Sequence, residues 1–133
     1  MLFEGQDFEA TVINSAGQAS RHPEVSVSAR QELDRKMVSS GSPYEGSIGF
    51  SRAVRMGSFI AVGGTAPILA ESTEQIEQWS VYEQAHLCLQ IVAKAVGDAG
   101  GALENVVRTR IMLTDMSQWR EAARARSCCY RIH

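Results

Sequence analysis

The run Ser51-Arg52-Ala53-Val54-Arg55-Met56-Gly57-Ser58-Phe59-Ile60-Ala61-Val62-Gly63-Gly64-Thr65 decides the fold. Ser51 to Arg55 alternates small or polar with apolar residues, Met56-Gly57-Ser58 can turn, and Phe59 to Val62 is an apolar run of strand formers. That pattern predicts a β-hairpin. Its second strand runs into Gly63-Gly64. Glycine weakens a strand interior and marks places where a ligand or another backbone comes close. The glycine pair is therefore the first candidate for a binding site, with a tight strand end as the alternative.

Downstream of the hairpin, Ile68 to Trp79 is acidic and reads as a solvated connector, with no histidine or cysteine among its carboxylates to suggest a metal site. From Ser80 to Ala99 the period becomes helical. Val81, Ala85, Cys88, Leu89, Val92, Val96 and Ala99 fall on one stripe, and Glu83, His86, Gln90 and Lys94 lie opposite. Ser80 with Glu83 three residues later forms a capping-box signature, and Gly100-Gly101 supplies the stop. A polar residue at Leu89 or Val92 would be severely destabilising. Val106 to Thr114 then alternates, with Val107, Thr109, Ile111 and Leu113 on the face that suits the helix. Arg108 and Arg110 sit on the other face, and isolated charges there must meet solvent, a polar channel or a partner subunit. Asp115 and Gln118 predict a cap for a second helix, with Trp119 facing inward.

Before the hairpin the sequence is less patterned. Residues 1–24 show no sustained period, and residues 1–35 read as a flexible N-terminal extension ahead of a single domain over 36–133. Val25, Ala29, Leu33 and Met37 permit a short amphipathic helix. The whole is an α+β architecture: a sheet covered on one face by the Ser80–Ala99 helix and the second helix.

The chain of 133 residues is long enough to bury about two thirds of its unfolded surface as one core. A net charge of −2 gives no general attraction for phosphate backbones, so nucleic acid is not an expected partner. No apolar run approaches the roughly 20 residues of a membrane span. The N-terminus lacks a signal-peptide pattern, and three cysteines, an odd number, fit reduced thiols, so the expected location is the cytoplasm. Cys128-Cys129 cannot make a four-ligand zinc site alone, because no Cys-x-x-Cys pair completes it. His22, His86 and His133 do not resemble a triad base, and no cofactor or metal is expected.

Several separated motifs carry a family resemblance. Ser39-Ser40-Gly41-Ser42-Pro43, Phe50-Ser51-Arg52-Ala53-Val54, Val62-Gly63-Gly64-Thr65-Ala66-Pro67 and Val106-Val107-Arg108-Thr109-Arg110-Ile111-Met112-Leu113-Thr114-Asp115-Met116 occur in family order. Over roughly Lys36 to Trp119 the chain resembles the Rid family of enamine and imine deaminases, also labelled YjgF-like or L-PSP endoribonuclease-like. The resemblance implies a mixed sheet of chorismate mutase-like form, a first strand near Lys36 to Ser40, a homotrimer with sites between subunits, and cofactor-free hydrolysis of a small-molecule imine. An imine or a 2-oxo acid is the implied ligand.

The resemblance also implies site residues. Phe50, Gly63, Gly64 and Thr65 are carried over as substrate-binding, while the catalytic residues are unassigned. Phe50 stands where the deaminating branch often has tyrosine, and Gly63 where it often has serine, so two hydroxyls are replaced. The family's last two strands, one bearing the arginine that holds the substrate carboxylate, have no counterpart after the second helix, as in a truncated or frameshifted member. Arg126-Ser127-Cys128 echoes an arginine-serine-cysteine triplet of some members, yet Arg126 follows Met116 by only ten positions, too few for a helix, loop and strand.

Overall fold

A computed structural model of the chain describes residues 8–13, 34–68 and 76–130. The elements run β1 (Phe8–Ile13), β2 (Arg35–Val38), α1 (Tyr44–Ile48), β3 (Ala53–Met56), β4 (Phe59–Thr65), α2 (Val81–Asp98), β5 (Val106–Ile111) and α3 (Trp119–Cys129). The sheet order is β2-β3-β4-β1-β5, and each of these pairings is antiparallel. α2 packs across β4 and β1 with α3 beside it, which gives the expected α+β arrangement.

The hairpin forms where the sequence places it. Gly57 adopts φ +59°, the left-handed conformation that the first position of a type II′ turn requires, and β3 and β4 pair from Met56↔Phe59 to Ala53↔Val62. β4 continues through the glycine pair to Thr65. Phe8 pairs with Thr65 and Ala10 with Val62, so Gly63 and Gly64 together face the single residue Glu9 across a bulge. The close backbone approach expected at the glycines is in part this bulge.

β1 corrects the reading of Phe8–Ile13, which fall inside the stretch taken as a flexible extension. Phe8, Ala10 and Val12 alternate with Glu9 and Thr11, a strand-length run set among residues without a sustained period. Their position between β4 and β5 pairs both of their backbone edges, and Thr11, Val12 and Ile13 favour extended structure. The sheet therefore has five strands among the described residues, and the edge of β4 is covered. Arg35 belongs to β2, and Met37 lies in that strand rather than in a helix; Val25, Ala29 and Leu33 are outside the described residues.

α2 is built as its pattern dictates. Ser80 Oγ accepts from Glu83 N at 3.3 Å and Glu83 Oε2 accepts from Ser80 N at 2.8 Å, so the capping box is complete. Ala85, Cys88, Leu89, Val92, Val96 and Ala99 are buried against Ile60 and Val62 of β4. Burial of each large aliphatic among them contributes at most about 1.5–3 kcal/mol. At the other end, Arg55 Nη1 donates to the carbonyls of Ala99 (3.2 Å) and Gly100 (2.8 Å). A cation there complements the negative end of the helix dipole and pins it to the hairpin.

β5 differs from expectation at one position. Thr109 and Ile111 are half-buried on the helix side and Arg108 and Arg110 are exposed, as their alternation requires. Val107 is 63% exposed, because a second bulge between Thr11 and Val12 shifts the register at that point. Asp115 does cap, but its carboxylate accepts from Ser117 N at 2.9 Å and opens a 3-10 turn at Met116–Gln118 ahead of α3. Trp119, expected to face inward, is 49% exposed with the Arg120 guanidinium 5.0 Å from its ring centre. The small residues Ala122 and Ala125 take the buried face instead, which lets α3 approach α2 closely.

Candidate functional site

A cavity of about 370 Å³ lies between the β2–α1 loop, the end of β4 and the outer stripe of α2. That volume is in the range of small-molecule sites. Tyr44, Ile48, Phe50, Ile68 and Ile91 give it apolar walls, and Ser39, Ser40, Arg52, Lys94 and Asp98 supply its polar groups.

Arg52 is the centre of the polar network. It is 6% exposed, its Nε donates to Ser40 Oγ at 3.1 Å, and its Nη1 donates to Gly64 O at 2.6 Å and Thr65 Oγ1 at 2.9 Å. Its guanidinium carbon lies 5.3 Å from the Phe50 ring centre, within cation–π range. A buried charge needs such partners, and each of these bonds also fixes a wall of the cavity. Ser40 passes the network on. Its amide and hydroxyl donate to Glu45 Oε1 at 2.8 and 2.6 Å, and Ser39 Oγ donates to Glu45 Oε2. Burial pushes the Glu45 carboxyl up, but these bonds and the nearby Arg52 charge outweigh it and hold the group below its ordinary value. Glu45 is therefore an anion at neutral pH, anchoring the serine loop to α1.

On the opposite wall, Ile91, Lys94, Ala95 and Asp98 recur at the spacing of one helix stripe, beside the stripe that faces the sheet. Lys94 Nζ pairs with Asp98 Oδ2 at 2.5 Å, and the lysine side chain is 76% exposed. The long aliphatic stem can follow the apolar wall while the ammonium stays at the mouth.

Phe50 and Gly64 are brought together on the cavity wall. A Cβ built at Gly64 meets no atom within 4 Å. Thr65 stands behind the wall, fully buried, accepting from Arg52 and donating to Gly63 O at 3.1 Å. Gly63 is not a lining residue; its amide donates to Arg52 O at 2.9 Å in the hairpin ladder. Sequence reasoning gave Arg52, Lys94 and Asp98 no site role. A charge in a short strand-turn segment signals nothing by itself, although an arginine immediately before a buried strand was a usable hint. Arg126 lies in α3, where its Nε donates to Thr109 Oγ1 at 2.9 Å, so it ties helix to sheet.

The chain matches the model of the family described as endoribonuclease L-PSP over residues 43–131. It belongs to the YjgF/L-PSP (Rid) family. The match takes in α1, the hairpin, α2 and α3, and every apolar wall residue named above. This Rid-family chain is 35% identical over 78 residues to an uncharacterised protein of Streptomyces coelicolor, covering 59% of this chain and 57% of that one. It is 30% identical over 80 residues to a RutC family protein of Sinorhizobium fredii, covering 59% and 63%. A RutC family protein of Pyrococcus abyssi is 30% identical over 70 residues, covering 53% and 54%. The matched part thus spans less than two thirds of the length of these relatives. Among solved structures, a Mycobacterium tuberculosis member of the YjgF/YER057c/UK114 family superposes with a TM-score of 0.63 at 38% identity, over 74% of this chain and 75% of that one.

Proposed function

We propose that this Rid-family protein hydrolyses reactive enamines and imines to a carbonyl compound and ammonia, with the Phe50–Arg52–Gly64 cavity as the site. The observation that carries the reading is the open space beside Gly64 within a cavity whose apolar walls end at the buried Arg52. An enamine first tautomerises to its imine. One water then adds across C=N, and collapse of the carbinolamine releases ammonia. The cavity's part in this is to bind the imine against the Gly64 backbone and the flat Phe50 face, with the Ser39 and Ser40 hydroxyls as the polar groups at that end. The test is the rate at which iminopropionate, generated in the same vessel, is converted to pyruvate and ammonia. A faster rate with the protein supports the reading; identical rates with and without it remove it.

A second reading, a small-molecule binder without turnover, draws support from a specific arrangement. Arg52 is held by Ser40, Gly64 and Thr65, and Glu45 by Ser39 and Ser40, so both charged groups serve the cavity's frame. Calorimetry with a 2-oxo acid separates the two, since binding without imine hydrolysis is the signature of the binder.

The exposed sheet face also enters the proposal. Met37, Met56, Phe59, Arg108 and Arg110 are exposed, and the strand pairing puts them on the side away from α2. We read this face as the contact with further copies in a homotrimer, and light scattering at the monomer mass would count against it. The family model's description invites an RNA-cleaving reading, but a net charge of −2 lends it no electrostatic support. Three free thiols support a reducing, cytoplasmic setting.

A further inference from the structure

We infer that Cys128 and Cys129 at the end of α3 form a peroxide-oxidisable dithiol, in which Cys128 takes the first oxidation, Cys129 resolves it to a disulfide, and His86 of α2 receives the resolving proton. The inference is independent of the cavity and of the reaction proposed for it.

The packing of α3 on α2 gives the two thiols different settings. Cys128 is exposed and Cys129 half-buried. Both sit on the helical side of the sheet, away from the face read as the contact between copies, so Cys128 stays open to small oxidants in a homotrimer. The Tyr82 hydroxyl is hydrogen-bonded to Cys128, and that bond, with the Cys128 charge, pushes the phenol above its ordinary value, so it remains a donor to the sulfur. Arg124 lies 4.5 Å from the Tyr82 ring centre but is paired with Glu121 at 2.8 Å. The phenol, not the cation, is therefore the group that supports a Cys128 thiolate, the form that attacks peroxide. One turn along α2, and stacked on Tyr82, His86 places Nδ1 3.3 Å from Cys129 Sγ. The two stacked rings thus serve the two consecutive sulfurs.

The chemistry closes in two steps. Cys128 Sγ attacks one oxygen of hydrogen peroxide, the O–O bond breaks, and Cys128 becomes a sulfenic acid while the other oxygen leaves as water with the thiol proton. Cys129 Sγ then attacks the Cys128 sulfur as its own proton passes to His86 Nδ1. The S–O bond breaks, and the departing hydroxide takes that proton to become a second water. Two thiols have lost two electrons, and the peroxide has been reduced.

The helix makes the product reversible. Adjacent Cα atoms are about 3.8 Å apart across a trans peptide, short of the roughly 4.4–6.8 Å of ordinary disulfides, so the bond is strained and easily reduced. Consecutive side chains on a helix also diverge by about 100°. Closing the bond therefore opens the last turn of α3, where Tyr130 N donates to Arg126 O at 2.9 Å, and draws Cys129 from His86. Oxidation loosens the join between α3 and α2, and reduction restores it.

The test is treatment of the reduced full chain with hydrogen peroxide at pH 7, followed by intact mass without reductant and mapping of the tryptic peptide Ser127–Arg131, which holds both cysteines. A monomer lighter by two hydrogens, with both thiols of that peptide blocked to iodoacetamide after unfolding and freed by dithiothreitol, is the expected result. Amide exchange at Cys129 and Tyr130 is expected to quicken in the oxidised form. Cys129→Ser is expected to stop at a sulfenic acid that dimedone captures. His86→Phe keeps a ring to stack on Tyr82 and lacks the nitrogen; it is expected to consume peroxide at the wild-type rate but raise dimedone capture about tenfold. Disulfide-linked dimers, or a Cys128 sulfinic acid beside a Cys129 that still alkylates, overturn the inference, and wild-type dimedone capture in His86→Phe overturns the role of His86.

Discussion

The Sγ of Cys129 lies 3.3 Å from Nδ1 of His86, joining the last residue of α3 to the second turn of α2 across 43 positions of sequence. The imidazole is stacked on Tyr82, with ring centres 5.9 Å apart and planes within 8° of parallel. In the sequence His86 falls on the solvated side of α2, 42 positions before Cys128. α3 covers that side, so the pairing is a product of helix packing. Burial, with a smaller contribution from Cys128, pushes the Cys129 thiol above its ordinary range, so at neutral pH Cys129 is a thiol rather than a thiolate.

The three thiols should therefore separate kinetically. Cys128 is exposed, Cys129 half-buried and Cys88 fully buried. With iodoacetamide at pH 7, peptide mass mapping is expected to find Cys128 alkylated first, Cys129 later, and Cys88 only on unfolding. Alkylation of Cys129 as fast as Cys128 would contradict the protection seen here.

The α2 cap offers a stability test. Ser80→Ala removes the acceptor for Glu83 N and the hydroxyl donor to its carboxylate, leaving the backbone amide of residue 80 as the remaining donor, at a cost of about 0.5–2 kcal/mol in urea denaturation. Hydrogen bonds from Ser80 hold the Glu83 carboxyl below its ordinary value. A depressed folded pKa gives stability that is present above the unfolded value and lost as pH falls through the folded one. The acid limb of the stability curve should therefore be shallower in Ser80→Ala, and an unchanged limb would contradict the coupling.

Tyr130 gives the opposite sign. It is 8% exposed, its hydroxyl has no hydrogen-bond partner among the described residues, and burial pushes its pKa to about 12. With the folded value raised, its stabilising contribution is full below the ordinary tyrosine value of about 10 and is lost as pH rises toward the folded value. Tyr130→Phe removes an unpartnered buried hydroxyl. It is expected to be neutral or stabilising by up to about 1–3 kcal/mol and to flatten the alkaline limb. A clear loss of stability at pH 7 would show that the hydroxyl has a partner.

Gly64→Val probes the cavity without disturbing its frame. Gly64 has no positive φ and its Cβ position is open, so the substitution should change the urea midpoint little. A branched side chain on the wall is expected to weaken binding of the 2-oxo acid at least tenfold by calorimetry. Unchanged binding would place the ligand elsewhere.

What the sequence determined by itself was everything governed by local period and turn chemistry. The Gly57 hairpin, the Ser80–Glu83 box, the buried stripe of α2 and the alternation of Arg108 and Arg110 each follow from neighbours within a few residues. Phe50 and Gly64 were legible as site candidates through motif resemblance, and both line the cavity. Only the tertiary structure decided the rest. The Phe8–Ile13 strand gains its stability from two neighbours far away in the chain, and its short alternation stands among residues without a sustained period. Arg52, Lys94 and Asp98 share a cavity because the β3 entry and the outer stripe of α2 face each other there, and Arg52, 42 and 46 positions before the other two, leaves no mark in the sequence that it meets them. Local interactions are written into local order; a site assembled across the fold exists only once packing has chosen which surfaces face.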